Sequence, residues 1–172
     1  MVTLVLGGAR SGKSEVAERR ASSSAAGAGA DGRVTSGATG VATDDDMAAR
    51  IEAHRRRRPR SWATVEPGVE GLVDAVRDLS GTALVDSLTT WVARGRSFDV
   101  DVDGLCRALT ERSGHSVVVS DEVGLGVHPS TEEGRRFRDA LGLANQAVAA
   151  VADEVLLVVV GRVLALEGPA AQ

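Results

Sequence analysis

The segment Gly7–Ser14 restricts the fold of this chain more than any other feature of the sequence. It reads GGARSGKS, which matches the spacing G-x-x-x-x-G-K-[ST], and it follows directly on the short apolar run Val2–Leu6. From Ser14 to about Ala25 the sequence is typical of a helix. In this context the glycines allow tight turns and close approach, and successive N–H groups at the helix N-terminus surround a phosphate group. The sequence therefore predicts an α/β fold with a phosphate-binding loop between its first strand and its first helix.

Two side chains of this loop carry the chemistry. Lys13 is predicted to reach the β- and γ-phosphates of a nucleotide and to act in catalysis, and the Ser14 hydroxyl is predicted to ligate Mg²⁺. Lysine and arginine together number 20 in the chain, yet Lys13 is the only lysine. The nucleotide-binding residues predicted here are Gly7, Gly8, Ala9, Arg10, Ser11, Gly12, Lys13 and Ser14.

Strands and helices alternate along the rest of the sequence. The strands are predicted at Val2–Leu6, Arg33–Thr39, Trp62–Glu66, Thr82–Asp86, Ser116–Ser120 and Glu154–Val160, with a hairpin return at Val163–Leu166. The helices are predicted at Ser14 to about Ala25, from Asp44 to Pro59, and at Val69–Leu79, Ser87–Arg94 and Val102–Glu111, with a long last helix whose apolar face runs from Phe137 to Val151. Short apolar strands that alternate with helices predict a mostly parallel central sheet with helices on both faces. A length of 172 residues fits a single domain over 1–172.

Composition excludes several classes of protein. The net charge of −4 and the scarcity of aromatic residues argue against bulk nucleic-acid binding. No apolar run approaches the ~20 residues of a membrane span, and residues 1–6 lack the features of a signal peptide. One cysteine, Cys106, excludes an intramolecular disulfide framework.

A nucleotide-dependent enzyme of this type also needs a carboxylate near the metal ion. Asp86 ends the apolar run Thr82–Asp86, and this placement favours Mg²⁺ coordination over a role as a helix cap. The strand Ser116–Ser120 leads into the rival pair Asp121 and Glu122. These acids fit a metal ligand, a catalytic base or a turn, and the pattern alone allows either strand.

His54 is followed by a run of arginines, Arg55–Arg58. Three interpretations apply to the run: a nucleic-acid patch, a solvated helix end at the negative pole of the helix dipole, or a clamp for a triphosphate. Spacing alone favours the solvated helix end. Neutral imidazole is a good nucleophile toward phosphorus, and nearby arginines would stabilise the charge that develops. We therefore treat acceptance of a nucleotidyl group by His54 as a hypothesis.

Taken in order, the motifs resemble one known family. They are Gly7–Ser14, Ala38-Thr39, Asp44–Ile51, His54, Arg58-Pro59, Trp62–Glu66, Asp86–Trp91, Val119–Gly126, Arg136–Asp139, Asn145-Gln146 and Ala152–Val155. This series closely resembles the bifunctional adenosylcobinamide kinase / adenosylcobinamide-phosphate guanylyltransferase family of cobalamin synthesis. The resemblance covers essentially the whole chain.

The resemblance implies a RecA-like three-layer P-loop fold, a homotrimer, a cytoplasmic location and two reactions. ATP or GTP phosphorylates adenosylcobinamide; GTP then donates GMP, through a guanylylated His54, to the adenosylcobinamide phosphate. Besides the phosphate-binding loop, it implies that Thr39, Gly40, Val41, Arg56, Arg57, Arg58, Glu66 and Asp86 contact the nucleotide, with Ser14 and Asp86 on Mg²⁺. At position 121 this chain has aspartate where the family often has asparagine.

Three alternatives stay open at this point. Some relatives retain only guanylyl transfer. A small-molecule kinase would use Lys13, Ser14 and Asp86 without a covalent intermediate and leave His54 structural. A nucleotide-dependent switch would convert binding into a conformational change.

Overall fold

A seven-stranded sheet forms the centre of the molecule. The computed structural model describes residues 1–27, 33–40, 49, 51–52 and 56–168. The strands are β1 Val2–Gly7, β2 Val34–Ala38, β3 Ala63–Val65, β4 Thr82–Asp86, β5 Ser116–Asp121, β6 Glu154–Val159 and β7 Arg162–Leu166. They lie in the order β3-β2-β4-β5-β1-β6-β7. Every neighbouring pair is parallel except β6 and β7, which form an antiparallel hairpin.

Helices cover both faces of this sheet. They are α1 Lys13–Gly27, α2 Leu72–Asp78, α3 Leu88–Arg94, α4 Val102–Glu111 and α5 Glu132–Val151, and a 3-10 turn lies at Arg96–Phe98. Residues 49, 51, 52, 56 and 57 are also helical, whereas the predicted N-cap at residues 44–46 lies outside the described residues. The predicted three-layer α/β fold with a mostly parallel sheet is confirmed.

The two faces of the sheet bury separate apolar clusters. On one face Val5 and Leu84 pack with α1 through Val16 and Ala17. On the other, Leu4 packs against a larger cluster supplied by α2–α5, with fully buried Trp91, Leu105 and Leu141. Because helices cover both faces, the central strands β1, β4 and β5 are buried on both sides and mostly apolar, without the regular polar alternation of a half-exposed sheet. Among the described residues, no helix is both long and apolar enough to cross a membrane.

Most predicted boundaries agree with the structure within a few residues, and three differences have physical causes. β5 continues one residue further than predicted, to Asp121, because it pairs with β1 in register up to Gly7. This makes Asp121 the last strand residue and not part of a turn. Ser87 lies before α3 as its N-cap, accepting a hydrogen bond from the Thr90 N–H, and α2 begins after a turn at Gly68–Gly71.

His115 lies at the edge of the sheet where β1 and β5 begin. Its Nε2 lies 2.9 Å from Thr3 Oγ1, and its Nδ1 contacts Ser24 Oγ on α1. Burial lowers the pKa of this imidazole, and the nearby N-terminal ammonium group acts in the same direction. The histidine therefore joins α1 to the sheet in its neutral form.

We expect this lowered pKa to make the folded state less stable in mild acid. Between the folded-state pKa and the ordinary value of about 6.5, the unfolded chain binds more protons, so the free energy of unfolding falls as pH decreases through that interval. The contribution is fully present above about pH 6.5. His115→Gln should remove this part of the pH dependence in urea unfolding, whereas His128→Gln, at an exposed loop position, should keep it. Equal pH slopes for wild type and His115→Gln would contradict the assignment.

Candidate active site

Three strand ends meet at one edge of the sheet. In the register of the parallel strands, Gly7 of β1 lies beside Asp121 of β5, and Asp86 of β4 lies beside Val119, two residues earlier on β5. A cleft of about 800 Å³ opens above them. Ligands of open α/β sheets bind at the carboxyl ends of the strands, so this is the expected place for a nucleotide.

Most of the residues predicted to bind nucleotide line this cleft: Ala9, Arg10, Ser11, Gly12, Lys13, Ser14, Gly40, Arg57, Arg58, Glu66 and Asp86. Gly7, Gly8, Thr39 and Arg56 are described but do not line it. His54 and Val41 lie outside the described residues. The structure thus brings together side chains from five separate parts of the chain.

Glycine is required at two positions of the phosphate-binding loop for different structural reasons. Gly12 has φ +93°, a left-handed conformation that a β-carbon disfavours, and it begins the turn into α1. Gly7 has an ordinary φ, but a β-carbon there would lie 2.5 Å from Ser11 Oγ and 2.7 Å from the Val158 carbonyl oxygen. The loop is also held from the β6–β7 turn, where the Gly161 N–H donates to the Ser11 carbonyl at 2.8 Å.

This packing predicts a contrast between two neighbouring glycines. Gly7→Ala should displace the loop from β6 and lower the free energy of unfolding by about 1–3 kcal/mol, the usual cost of overpacking. Gly8→Ala introduces a β-carbon with nothing within 4 Å and should leave stability close to that of the wild type. Urea unfolding of both variants measures the contrast. Equal stability of the two would show that the loop shifts without cost.

Lys13 is the first residue of α1, and its side chain folds back over the loop. Its Nζ lies 2.5 Å from Asp121 Oδ1 and donates to the Gly8 carbonyl oxygen at 3.3 Å. The lysine side chain is only 13% exposed. The ammonium group therefore lies inside the loop that would surround a phosphate, and its nearest partner is the carboxylate of the adjacent strand.

Arg58 contradicts the expectation, drawn from spacing alone, of a solvated helix end. Its side chain is 7% exposed, and its Nη2 lies 2.6 Å from Asp86 Oδ2 across the cleft. Its Nε is 3.7 Å from Glu18 Oε1, while Arg57 Nε is 3.3 Å from Glu18 Oε2. Arg57 and Arg58 thus face the predicted triphosphate site and pair with carboxylates of α1 and β4.

Arg56 behaves as the spacing argument expects. It is 77% exposed and pairs with Glu52 one helical turn earlier, at 2.9 Å. Such surface pairs contribute little to stability. The implied contact of Arg56 with nucleotide therefore stays a prediction.

Thr39 lies one layer behind the cleft surface. It is 2% exposed, and its hydroxyl donates to the Ser87 carbonyl at 2.7 Å and accepts from the Ser87 N–H at 2.9 Å. It also contacts the Thr90 hydroxyl. These bonds fix the junction between β4 and α3 directly after Asp86, so Thr39 positions that carboxylate. A direct contact of Thr39 with nucleotide stays a prediction.

Several lining residues were not predicted from the sequence. Ser87, Thr89 and Thr90 line the cleft at the start of α3. The Asp121 N–H donates to Thr89 Oγ1 at 2.7 Å, which links the end of β5 to the first turn of α3. The available signal was the three hydroxyl side chains of Ser87, Thr89 and Thr90, which follow directly after a strand-ending aspartate.

The donor set in the cleft fits a magnesium ion that is bound together with a nucleotide. Ser14, which carries a hydroxyl, and Asp86, which carries a carboxylate, both line the cleft together with Lys13. Over the described part of the chain, no three His, Cys, Asp or Glu side chains form a cage for a metal ion. Mg²⁺ usually keeps several waters and is held by one or two carboxylates together with substrate phosphates, so this set suits it.

Comparison with known proteins shows the family of the chain. Residues 3–166 match the model of the family described as cobinamide kinase / cobinamide phosphate guanyltransferase. The chain is 36% identical, over 98% of both chains, to a protein of Pseudomonas aeruginosa named bifunctional adenosylcobalamin biosynthesis protein CobP. It is also 36% identical, over 94% of this chain and 97% of the relative, to the Escherichia coli protein named bifunctional adenosylcobalamin biosynthesis protein CobU.

A distant likeness to a solved structure is also found. The P4 protein from bacteriophage phi6 in complex with ADP matches with a TM-score of 0.40 and 14% identity, over 94% of this chain and 52% of that one. The fold assignment rests on the strand order and helix layers described above.

Proposed function

The chain belongs to the cobinamide kinase / cobinamide phosphate guanyltransferase family, and we propose that it carries out both reactions in the assembly of the cobalamin nucleotide loop. In the first, a nucleoside triphosphate phosphorylates the hydroxyl group of adenosylcobinamide. In the second, GTP donates GMP to the resulting phosphate through a guanylylated His54. One observation carries the proposal: Lys13, Arg58 and Asp86 converge on one cleft at the phosphate-binding loop.

In the kinase step, the acceptor hydroxyl oxygen attacks the γ-phosphorus and the bond from that phosphorus to the β-phosphate oxygen breaks. The nucleoside diphosphate leaves, and the hydroxyl proton is released to solvent. The loop N–H groups and the N-terminus of α1 bind the phosphates, and Lys13 neutralises the charge that develops on the oxygens. Ser14 and Asp86 would hold Mg²⁺, which supplies further charge neutralisation at the phosphates.

In the guanylyl step, an imidazole nitrogen of His54 attacks the α-phosphorus of GTP and pyrophosphate leaves. A phosphate oxygen of adenosylcobinamide phosphate then attacks the same phosphorus, which frees the histidine and gives adenosylcobinamide-GDP. The sequence neighbours of His54 on both sides, Ile51 and Arg57-Arg58, line the cleft, which supports this role. The guanidinium groups are suited to bind the triphosphate through paired N–H donors.

We also propose that the enzyme is a homotrimer, as the family resemblance implies. The edge strand β7 is exposed along its whole length and includes Val163 and Leu164, which are 49% and 59% exposed, so it offers apolar surface to an assembly. Light scattering of the purified protein should give three times the chain mass of 17.7 kDa.

The proposed function is tested by supplying the two acceptors separately. Adenosylcobinamide with γ-labelled GTP or ATP should yield labelled adenosylcobinamide phosphate, and adenosylcobinamide phosphate with α-labelled GTP should yield labelled adenosylcobinamide-GDP. If only the phosphorylated acceptor is turned over, the protein has guanylyltransferase activity and no kinase activity. Phosphorylation of adenosylcobinamide without GMP transfer would show that the protein is a kinase without a covalent intermediate. Nucleotide hydrolysis without transfer to either acceptor would favour a nucleotide-dependent switch.

A further inference from the structure

We propose that Asp121 is an exchangeable counterion of Lys13, which an incoming triphosphate must displace before the lysine can bind phosphate. This inference rests on the proposed function in one respect, namely that the loop binds a nucleoside triphosphate. Asp121 would then be a positioning residue that sets the affinity for nucleotide. This role replaces the three that the sequence pattern allowed, namely a metal ligand, a catalytic base or part of a turn.

The ion pair occupies the place where phosphate would bind. Lys13 Nζ lies 2.5 Å from Asp121 Oδ1, and the two side chains are 13% and 27% exposed. A partly buried ion pair is screened less by solvent than a surface pair. Replacing the contact between Lys13 and Asp121 by one between Lys13 and phosphate therefore makes a substantial electrostatic contribution to the free energy of nucleotide binding. The phosphate oxygens and the carboxylate compete for the same three ammonium protons.

Asp121 is held in place by both neighbouring helices. Its N–H donates to Thr89 Oγ1 of α3 at 2.7 Å, and its carbonyl accepts from Asn145 Nδ2 of α5 at 3.1 Å. Its α-carbon is in register with Gly7, the first residue of the loop. Because the main chain is fixed, the carboxylate can rotate but cannot leave the phosphate site. Its negative charge therefore continues to repel the triphosphate after Lys13 has been released.

Two other cations that line the cleft, Arg57 and Arg58, are also paired with carboxylates. Arg58 pairs with Asp86 at 2.6 Å and Arg57 with Glu18 at 3.3 Å. At Lys13, Arg57 and Arg58, triphosphate binding would therefore be an exchange in which phosphate oxygens replace carboxylates. Of these carboxylates, Asp121 is the one that contacts the lysine of the loop and lies beside Gly7.

The test is the affinity for GTP of Asp121→Asn in the presence of EDTA, measured by calorimetry on the full chain. Asparagine keeps the size and the main-chain bonds of aspartate while it removes the charge. We expect Asp121→Asn to bind GTP about tenfold or more tightly than wild type, since removing a like charge within a few ångströms of phosphate is a large effect at low screening. A gain in affinity cannot result from misfolding.

Glu122→Gln is the matched control, since Glu122 also lines the cleft but accepts from the Gly124 N–H and not from Lys13. It should strengthen binding by less than about threefold, the effect of a more distant charge. The gain in Asp121→Asn should also shrink at high salt.

Three results would overturn the proposal: unchanged affinity of Asp121→Asn, weaker affinity, or equal gains in both variants. In particular, unchanged binding in EDTA with weaker binding in Mg²⁺ would make Asp121 a metal ligand. A wild-type protein that binds neither GTP nor ATP would contradict the proposed function itself. Wild-type binding without the gain in Asp121→Asn would contradict only the counterion role.

Discussion

His54→Ala protein incubated with α-labelled GTP and then denatured is expected to carry no label, whereas the wild-type protein carries a GMP adduct. Removal of the nucleophile in a covalent mechanism typically lowers the rate by roughly three orders of magnitude or more. Formation of adenosylcobinamide-GDP should fall by the same factor. Phosphorylation of the acceptor hydroxyl should continue, because that step depends on Lys13 and the phosphate-binding loop and not on an imidazole.

The two other histidines provide the controls. His115 lies at the opposite edge of the sheet, where β1 and β5 begin, and His128 lies in an exposed loop, where its Nδ1 is 2.8 Å from Arg138 Nη1. His115→Gln and His128→Ala should both retain the label. The wild-type adduct should be stable in base and labile in acid, as a phosphorus–nitrogen bond to histidine requires. A labelled His54→Ala protein would disprove the covalent role of this residue.

The elements of the fold were predictable because local patterns determine them. β1 and β5 are mostly apolar and contain several valines, and β1 leads into the glycine loop while β5 is bounded by Gly114 and Gly124. The order of the strands was not predictable in the same way. β5 lies between β4 and β1, so Asp121 is on the strand next to the loop and Asp86 one strand further away. Spacing along the chain contains no information on this arrangement.

The site was predictable where a motif is local and was missed where it depends on distant contacts. Gly7–Ser14 is contiguous, and its strand, turn and helix are found as expected. Arg58 gave the wrong signal, because a basic run at a helix end usually faces solvent. Its burial against Asp86 follows from the way residues 56–58 pack over α1 and β4. For Thr39 the sequence could suggest proximity to the nucleotide but not that its hydroxyl is engaged with Ser87.

Lys13 is the residue for which the sequence motif and the structure agree most closely. In a chain whose other cations are all arginines, Lys13 is retained at the one position that the motif requires to be lysine. The structure supplies the physical reason. The Lys13 ammonium group lies 3.3 Å from the Gly8 carbonyl oxygen and 2.5 Å from Asp121 Oδ1, in space bounded by the loop backbone. A compact ammonium fits there, whereas a guanidinium is longer, planar and rigid.

Lys13→Arg is therefore expected to abolish most of both transfers although it conserves the charge. We expect kcat/KM for hydroxyl phosphorylation and for guanylyl transfer to fall by about 10²-fold or more, since phosphoryl transfer depends on precise placement of this cation. The free energy of unfolding should change by less than about 1 kcal/mol, because the guanidinium can extend toward the open cleft. The measurements are steady-state kinetics with each acceptor and urea unfolding of the same preparations.

Arg19→Lys is the matched control, since it also substitutes one of lysine and arginine for the other but at an exposed position. Arg19 lies on the same helix, is 60% exposed and pairs only with Glu15 among the ion pairs described, at 2.7 Å. Its exchange should leave both activities and stability unchanged, as for most solvated cations. If Lys13→Arg retained full activity, the positive charge alone would suffice in the loop, and the single lysine of this chain would need an explanation outside the phosphate site. A loss confined to the kinase step would instead show that the two reactions place the triphosphate differently in the same cleft.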